Sequence, residues 1–260
     1  MIKAAFFDID GTLVSFDTHI VPESAVDALQ RMHAKGIKLF IATGRSSHGM
    51  PPAALDLFER VSFDGYLTFN GQLCYDNDGV YRDYPIDNDD VKVLMDQASA
   101  GQYEILLMQR TRSFVSKHTA RINAVEEAAG TPYDDGDLAS TFEEPTYQIC
   151  AYVDPGDEGQ FMDLCKHVEH TRWCDGFCDV IPAGGGKPAG IAATLERFGL
   201  QAEECIAFGD GGNDVPMFGC VGESVAMGNA NDAVKAAATY VTAHIDEDGL
   251  ALACEHFGLI

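Results

Sequence analysis

The run from Lys3 to Ile9 reads as a buried strand, and it delivers two aspartates, Asp8 and Asp10, into a turn opened by Gly11 and followed by Thr12 and Leu13. Few arrangements tolerate this. A buried strand cannot end in two unneutralised carboxylates, because an unpaired charge taken out of water is expensive. A divalent cation is the natural partner. In open α/β sheets, ligands bind just outside the carboxyl ends of the strands, and these acids fall there. Gly11 permits the sharp turn, and Thr12 offers a hydroxyl and an amide to an incoming anion.

Three further segments follow the same plan, each at the end of an expected strand. Phe40-Ile41-Ala42 runs into Thr43-Gly44-Arg45, where a hydroxyl and helix-opening amides suit a phosphate oxygen or form a plain helix cap. Ala183-Gly184-Gly185-Gly186 precedes Lys187. This is not a nucleotide-binding P-loop, since Ile181 and Pro188 stand where that motif needs Gly and Ser or Thr. Lys187 is instead a point charge at a helix start, either paired with an anion or solvated. Ile206-Ala207-Phe208 runs into Gly209-Asp210-Gly211-Gly212-Asn213-Asp214. A small set of oxygen ligands suits Mg²⁺ better than zinc.

Strand-like and helix-like patterns alternate at both chain ends, which predicts an α/β fold with a doubly wound parallel sheet. Strands are expected at 37–42, 65–69 and 205–208, and helices at 22–35 and 187–198, with a hairpin at Asp76-Asn77-Asp78-Gly79. The middle reads differently. Helices at 87–101 and 119–130 separate strand candidates at 104–109, 113–116 and 148–153, the pattern of an α+β unit. The expected parsing is a catalytic core of residues 1–82 and 185–260, interrupted by an inserted α+β domain of residues 83–184.

Charge narrows the partners. With 41 Asp+Glu against 17 Lys+Arg the chain carries −24, which disfavours nucleic acid and anionic membrane surfaces alike. No apolar run approaches the roughly 18 to 20 residues of a membrane span. Asp8 comes too early for a signal peptide, and the eight cysteines lack a CxxC pair, so the expectation is a cytoplasmic protein with reduced thiols.

Together the four segments resemble the signature motifs of the haloacid dehalogenase superfamily in their usual order: DxDGT, Thr-Gly-Arg, a lone Lys, and GDxxNDxxM from Gly209 to Met217. The position of the insert resembles the Cof-like, type IIB branch. Spacing agrees, with 144 residues between Thr43 and Lys187 but 23 between Lys187 and Asp210. The resemblance implies a Rossmann-like core whose inserted cap closes over the site. It implies Asp8 as nucleophile, Asp10 as general acid and then base, and Thr43, Gly44, Lys187 and Asn213 around the phosphoryl group. It also implies Mg²⁺ on Asp8, the Asp10 carbonyl, Asp210 and Asp214. Dehalogenating relatives lack the second aspartate and the metal, so the implied reaction is hydrolysis of small phosphate monoesters, sugar phosphates first. A phosphomutase, or a phosphate-binding protein without turnover, is the alternative, and the chain is expected to be a monomer or homodimer. For Asp10 to serve as acid, its neighbours should keep it protonated.

Three weaker features complete the reading. Arg110, Arg112, Lys117, His118 and Arg121 form an acid-free basic window, expected to be a solvated face rather than a substrate patch. Cys165, His167, His170, Cys174 and Cys178 lie close in sequence, but their spacing matches no standard zinc site, with His167 and His170 expected at a helix end and a strand expected from Trp173 to Val180. Arg45 is expected to be a structural residue in a core salt bridge.

Overall fold

The structure, a computed structural model, describes residues 1–130 and 132–260. The first part of the chain forms β1 (Ala4–Phe7), α1 (Glu23–Ala34), β2 (Lys38–Ala42), α2 (Pro52–Arg60), β3 (Gly65–Thr68), β4 (Leu73–Asp76) and β5 (Gly79–Asp83). The middle forms α3 (Asn88–Ser99), β6 (Ile105–Gln109), β7 (Ser113–Val115), α4 (Ala120–Ala129), β8 (Asp134–Asp135), β9 (Thr146–Ala151), α5 (Gly159–Met162), β10 (Val168–Thr171) and β11 (Cys178–Pro182). The last part forms α6 (Gly186–Phe198), β12 (Cys205–Gly209), α7 (Val215–Phe218), β13 (Glu223–Ala226), α8 (Asp232–Ala237), β14 (Tyr240–Val241) and α9 (Gly249–His256).

Two sheets result. The larger has the order β14-β13-β12-β1-β2-β3-β4-β5, parallel from β14 to β3 and antiparallel beyond. The smaller has the order β10-β11-β9-β6-β7-β8 and is antiparallel except at β7–β8. The reason β1 is apolar throughout is that both its faces are covered. Ala5 and Phe7 pack with α1, α2 and α9, whereas Ala4 and Phe6 pack with α6, α7 and α8. Phe6 stacks on Phe40 at 5.0 Å and Phe7 on Phe208 at 4.9 Å, tying β1 to both neighbours.

The smaller sheet also uses both faces. Ile105, Leu107, Cys178 and Val180 pack against α3 and α5, while Leu106, Met108 and Cys150 join Phe69 and Leu73 of the larger unit. That second face looks onto the carboxyl ends of the large sheet. Two expectations change here. His170 lies on β10 rather than at a helix end, and the strand expected from Trp173 begins at Cys178. No helix among the described residues is long and apolar enough to cross a membrane.

Candidate active site

Asp8 and Asp10 follow β1, Thr43 follows β2, and Asp210 follows β12, so the sheet order alone brings three of the four segments to one edge. Lys187 arrives from the first turn of α6. That helix sits close because Gly190 meets Gly71: a Cβ on Gly190 would lie 2.8 Å from the Gly71 Cα. Gly11 is needed for a similar reason. It has φ +77°, and a Cβ there would lie 2.1 Å from an Asp210 carboxylate oxygen.

Lys187 is fully buried between two acids. Its Nζ donates to Asp8 Oδ1 and to Asp214 Oδ1, both at 2.6 Å. Asp214, also fully buried, accepts from the amides of Asp210 and Gly211 at 2.9 Å on its other oxygen. Carboxylate oxygens of Asp8, Asp210 and Asp214 lie within 4.8 Å of one another. Burial works against the charge on Lys187, but Asp214 and Asp8 outweigh it and hold the ammonium above the usual lysine range. Burial pushes Asp8 up to about 7 against the pull of Lys187, with repulsion from Asp214 and Asp10 adding to it. Asp210 is raised well above the ordinary aspartate range, again by burial and then by Asp8 and Asp214.

Asp10 has a different partner. Arg45 Nε donates to its Oδ2 at 2.6 Å and Nη2 to its Oδ1 at 2.7 Å, a bidentate fork. Arg45 is thus salt-bridged as expected, but at the site itself. A general acid at Asp10 would have to release one of these two bonds to carry its proton. Thr12 departs from expectation. Its hydroxyl donates to Asp210 Oδ1 at 3.0 Å and so orients that acid rather than facing an anion.

These groups open into a cavity of about 280 Å³ between the two sheets. Asp8, Asp10, Thr43, Gly44, Asp210 and Asn213 line its core end. The opposite wall comes from the smaller sheet and its loops. None of Arg110, Arg112, Lys117, His118 and Arg121 lines this cavity. Arg110 pairs with Asp83, Arg112 with Glu144 at 3.3 Å and Arg121 with Asp154 at 2.8 Å. Among the described residues, no three of Cys165, His167, His170, Cys174 and Cys178 bring ligand atoms within 4.8 Å of each other.

One residue at the centre went unread in the sequence. Asn70 is buried with φ +55°, its amide bonds Thr43 O at 2.8 Å, and its Oδ1 accepts from Asn213 Nδ2 at 3.1 Å. Its Nδ2 donates to Gln148 Oε1 at 2.9 Å and to Asp179 Oδ2 at 3.0 Å. Asn70 therefore links the Asp210 loop to the wall of the smaller sheet. The local signal was Asn-Gly; a side chain in the left-handed region is what Asn tolerates best after Gly.

The sequence matches the model of a family described as haloacid dehalogenase-like hydrolase over residues 5–253. It is 31% identical to the "Putative phosphatase YkrA" of Bacillus subtilis (strain 168), covering 99% of this chain and 98% of that one. A solved structure from work on a trigonal-bipyramidal intermediate in a phosphoryl-transfer superfamily superposes with a TM-score of 0.95 at 35% identity, covering 100% of both chains. Another, described as the HAD subclass IIB sugar phosphatase BT4131, gives 0.92 at 35% identity over 99% of this chain and 100% of that one. The chain belongs to the haloacid dehalogenase-like hydrolases, among their phosphatases. The family read from the four motifs, and the branch read from the place of the insert, are the ones these relatives represent.

Proposed function

We propose that this enzyme hydrolyses small phosphate monoesters in the cytoplasm with Mg²⁺, through an aspartyl-phosphate on Asp8. The observation that carries the reading is the convergence of Asp8, Asp210 and Asp214 around Lys187 at the core end of the cavity between the two sheets. With all four carboxylates ionised, counting Asp10, the acids outnumber the two cations beside them, Lys187 and Arg45, by two. A divalent cation held by Asp8, Asp210 and Asp214 matches that excess, and an all-oxygen donor set fits Mg²⁺. Bound there, it would offset charge on the phosphoryl oxygens during transfer. The Asp10 carbonyl would complete the protein's share of ligands.

In this mechanism an Asp8 oxygen attacks phosphorus, the P–O bond to the ester breaks, and Asp10 gives its proton to the leaving oxygen. Water then attacks the phosphorus, Asp10 takes the water's proton, and the Asp8–phosphorus bond breaks to release phosphate. Splitting the displacement into two steps is the use of a carboxylate nucleophile. Lys187 holds Asp8 and shares the charge of the equatorial oxygens, Thr43 and Gly44 receive the phosphate, and Asn213 steadies the loop beside it. Arg45 holds Asp10 in line, and one of its two bonds must loosen when Asp10 exchanges its proton. The unit of residues 83–184 serves as the cap that excludes water and faces the leaving group. Sugar phosphates are the first substrate class to try, in keeping with the description of one solved neighbour.

Purified protein with Mg²⁺ is expected to release phosphate from several members of a monoester panel, and a chelator is expected to stop it. Failure across the whole panel, or turnover indifferent to the chelator, would contradict the reading.

Acid should weaken the metal site. Without metal, Asp8 titrates near 7 against an ordinary 3.8, so the folded chain holds a proton there and its contribution to stability is lost as pH rises from about 4 to about 7. Cation binding must displace that proton. The rise in melting temperature on adding Mg²⁺ is therefore expected to be larger at pH 8 than at pH 5.5. Equal shifts at both would show that Asp8 takes no part in holding the ion.

A further inference from the structure

The cavity wall opposite Asp8 has its own chemistry. Met108, Gln148, Cys150 and Asp179 stand on adjacent strands of the smaller sheet, with Met108 opposite Gln148 and Cys150 opposite Asp179 in register. All four line the cavity, together with the rings of Trp173 and Phe177. Phe16 stacks on Trp173 at 5.8 Å and completes the aromatic side. Soft sulfur atoms and ring faces accept flat or weakly polar surface.

Two polar groups break this lining. Asp179 is buried; its Oδ2 accepts from Asn70 and its Oδ1 from the Cys150 thiol at 3.2 Å. A carboxylate has about four acceptor positions, so it keeps capacity toward the cavity. Beside it, Gln148 is fixed by the Asn70 bond to its oxygen, and its Nε2 donates to thioether and thiol sulfurs, at 3.3 Å to Met108 Sδ and 3.8 Å to Cys150 Sγ. Sulfur is a weak acceptor, so an oxygen or nitrogen of a ligand would compete well for this donor.

Cations, by contrast, are committed elsewhere. Among the described residues lining the cavity the cationic side chain is Arg45, forked onto Asp10. Lys187 lies between Asp8 and Asp214. Arg112 belongs to an adjoining cavity and pairs with Glu144. A second anionic group on the substrate would therefore meet a buried carboxylate and, among the described residues lining this wall, no cationic side chain.

From this wall we infer that the enzyme selects phosphate esters whose leaving group carries no second anionic group and presents a hydrogen-bond donor to Asp179. The inference rests on the phosphatase reading above and adds a substrate class to it. Neutral polyols, and neutral or cationic heterocycles with an N–H or O–H at the edge, meet the requirement. Phospho-acids and bisphosphates do not. Rejection works by leaving the wrong group unpaired beside a like charge.

Matched esters test it. With Mg²⁺, sn-glycerol 3-phosphate is compared with 3-phosphoglycerate, and fructose 6-phosphate with fructose 1,6-bisphosphate, with p-nitrophenyl phosphate as a reference. The neutral member of each pair is expected to have a kcat/KM at least tenfold higher, and Asp179→Asn to narrow that ratio severalfold. Equal or better use of the anionic members, or a ratio untouched by Asp179→Asn, would overturn the inference while leaving the phosphatase intact. The wild-type ratios carry the test even where the variant does not fold. No release from any ester, p-nitrophenyl phosphate included, would instead overturn the phosphatase reading and this inference with it.

Discussion

Asp8→Asn is expected to lower kcat on any substrate of this enzyme by about four to six orders of magnitude, the scale of removing a covalent nucleophile. The same change should make the metal-free chain more stable at pH 8. Asp8 sits 7% exposed among Asp10, Asp210 and Asp214, and burial with repulsion makes its charge costly there. An amide of the same shape removes the repulsion, while Lys187 keeps its bond to Asp214. Phosphate release and thermal melting without metal check the two halves. Activity within tenfold of the parent would remove Asp8 from the mechanism.

Lys187→Met should be damaging in both respects. The ammonium is the shared partner of two buried carboxylates, and its loss leaves Asp8 and Asp214 facing one another. Removing one member of a buried ion pair typically costs about 3–5 kcal/mol. Turnover should fall by about a thousandfold as the phosphoryl charge loses a fixed donor. Urea unfolding and steady-state kinetics at saturating Mg²⁺ would measure these. A folding free energy within about 0.5 kcal/mol of the parent, inside the range of ordinary surface changes, would show that the lysine is not the keystone of the acid cluster.

The parts legible in the sequence were those fixed by local rules. β1, β2 and β12 are continuous apolar runs because both faces are covered, and the turns after them advertise themselves by glycines beside aspartates. Elements that owe their form to partners were harder to read. β10 is an edge strand paired on one side to β11, and only Val168 of its four residues is buried, so it carries no apolar pattern. α2 begins at Pro52 directly after Pro51, where proline reads as a break although it suits a helix's first turn. Asn70 was hidden for a sharper reason. Its side chain joins residues 78, 109 and 143 positions away, and nothing in its neighbours announces them. The fork between Arg45 and Asp10 likewise needed the placement of β1 beside β2 to become visible.

That placement has a consequence for how the protein is made. β1 is made some two hundred residues before one of its two neighbours, β12, which comes from residues 205–209. Until then the strand bearing Asp8 has an open edge of unpaired amides and carbonyls next to Phe6 and Phe7, the kind of surface that invites pairing with another chain. The smaller sheet can assemble in the interval from its own contiguous residues. A released chain ending before residue 205 would thus carry an assembled smaller sheet beside an unpaired, aggregation-prone β1, and chaperone dependence should be concentrated in that window.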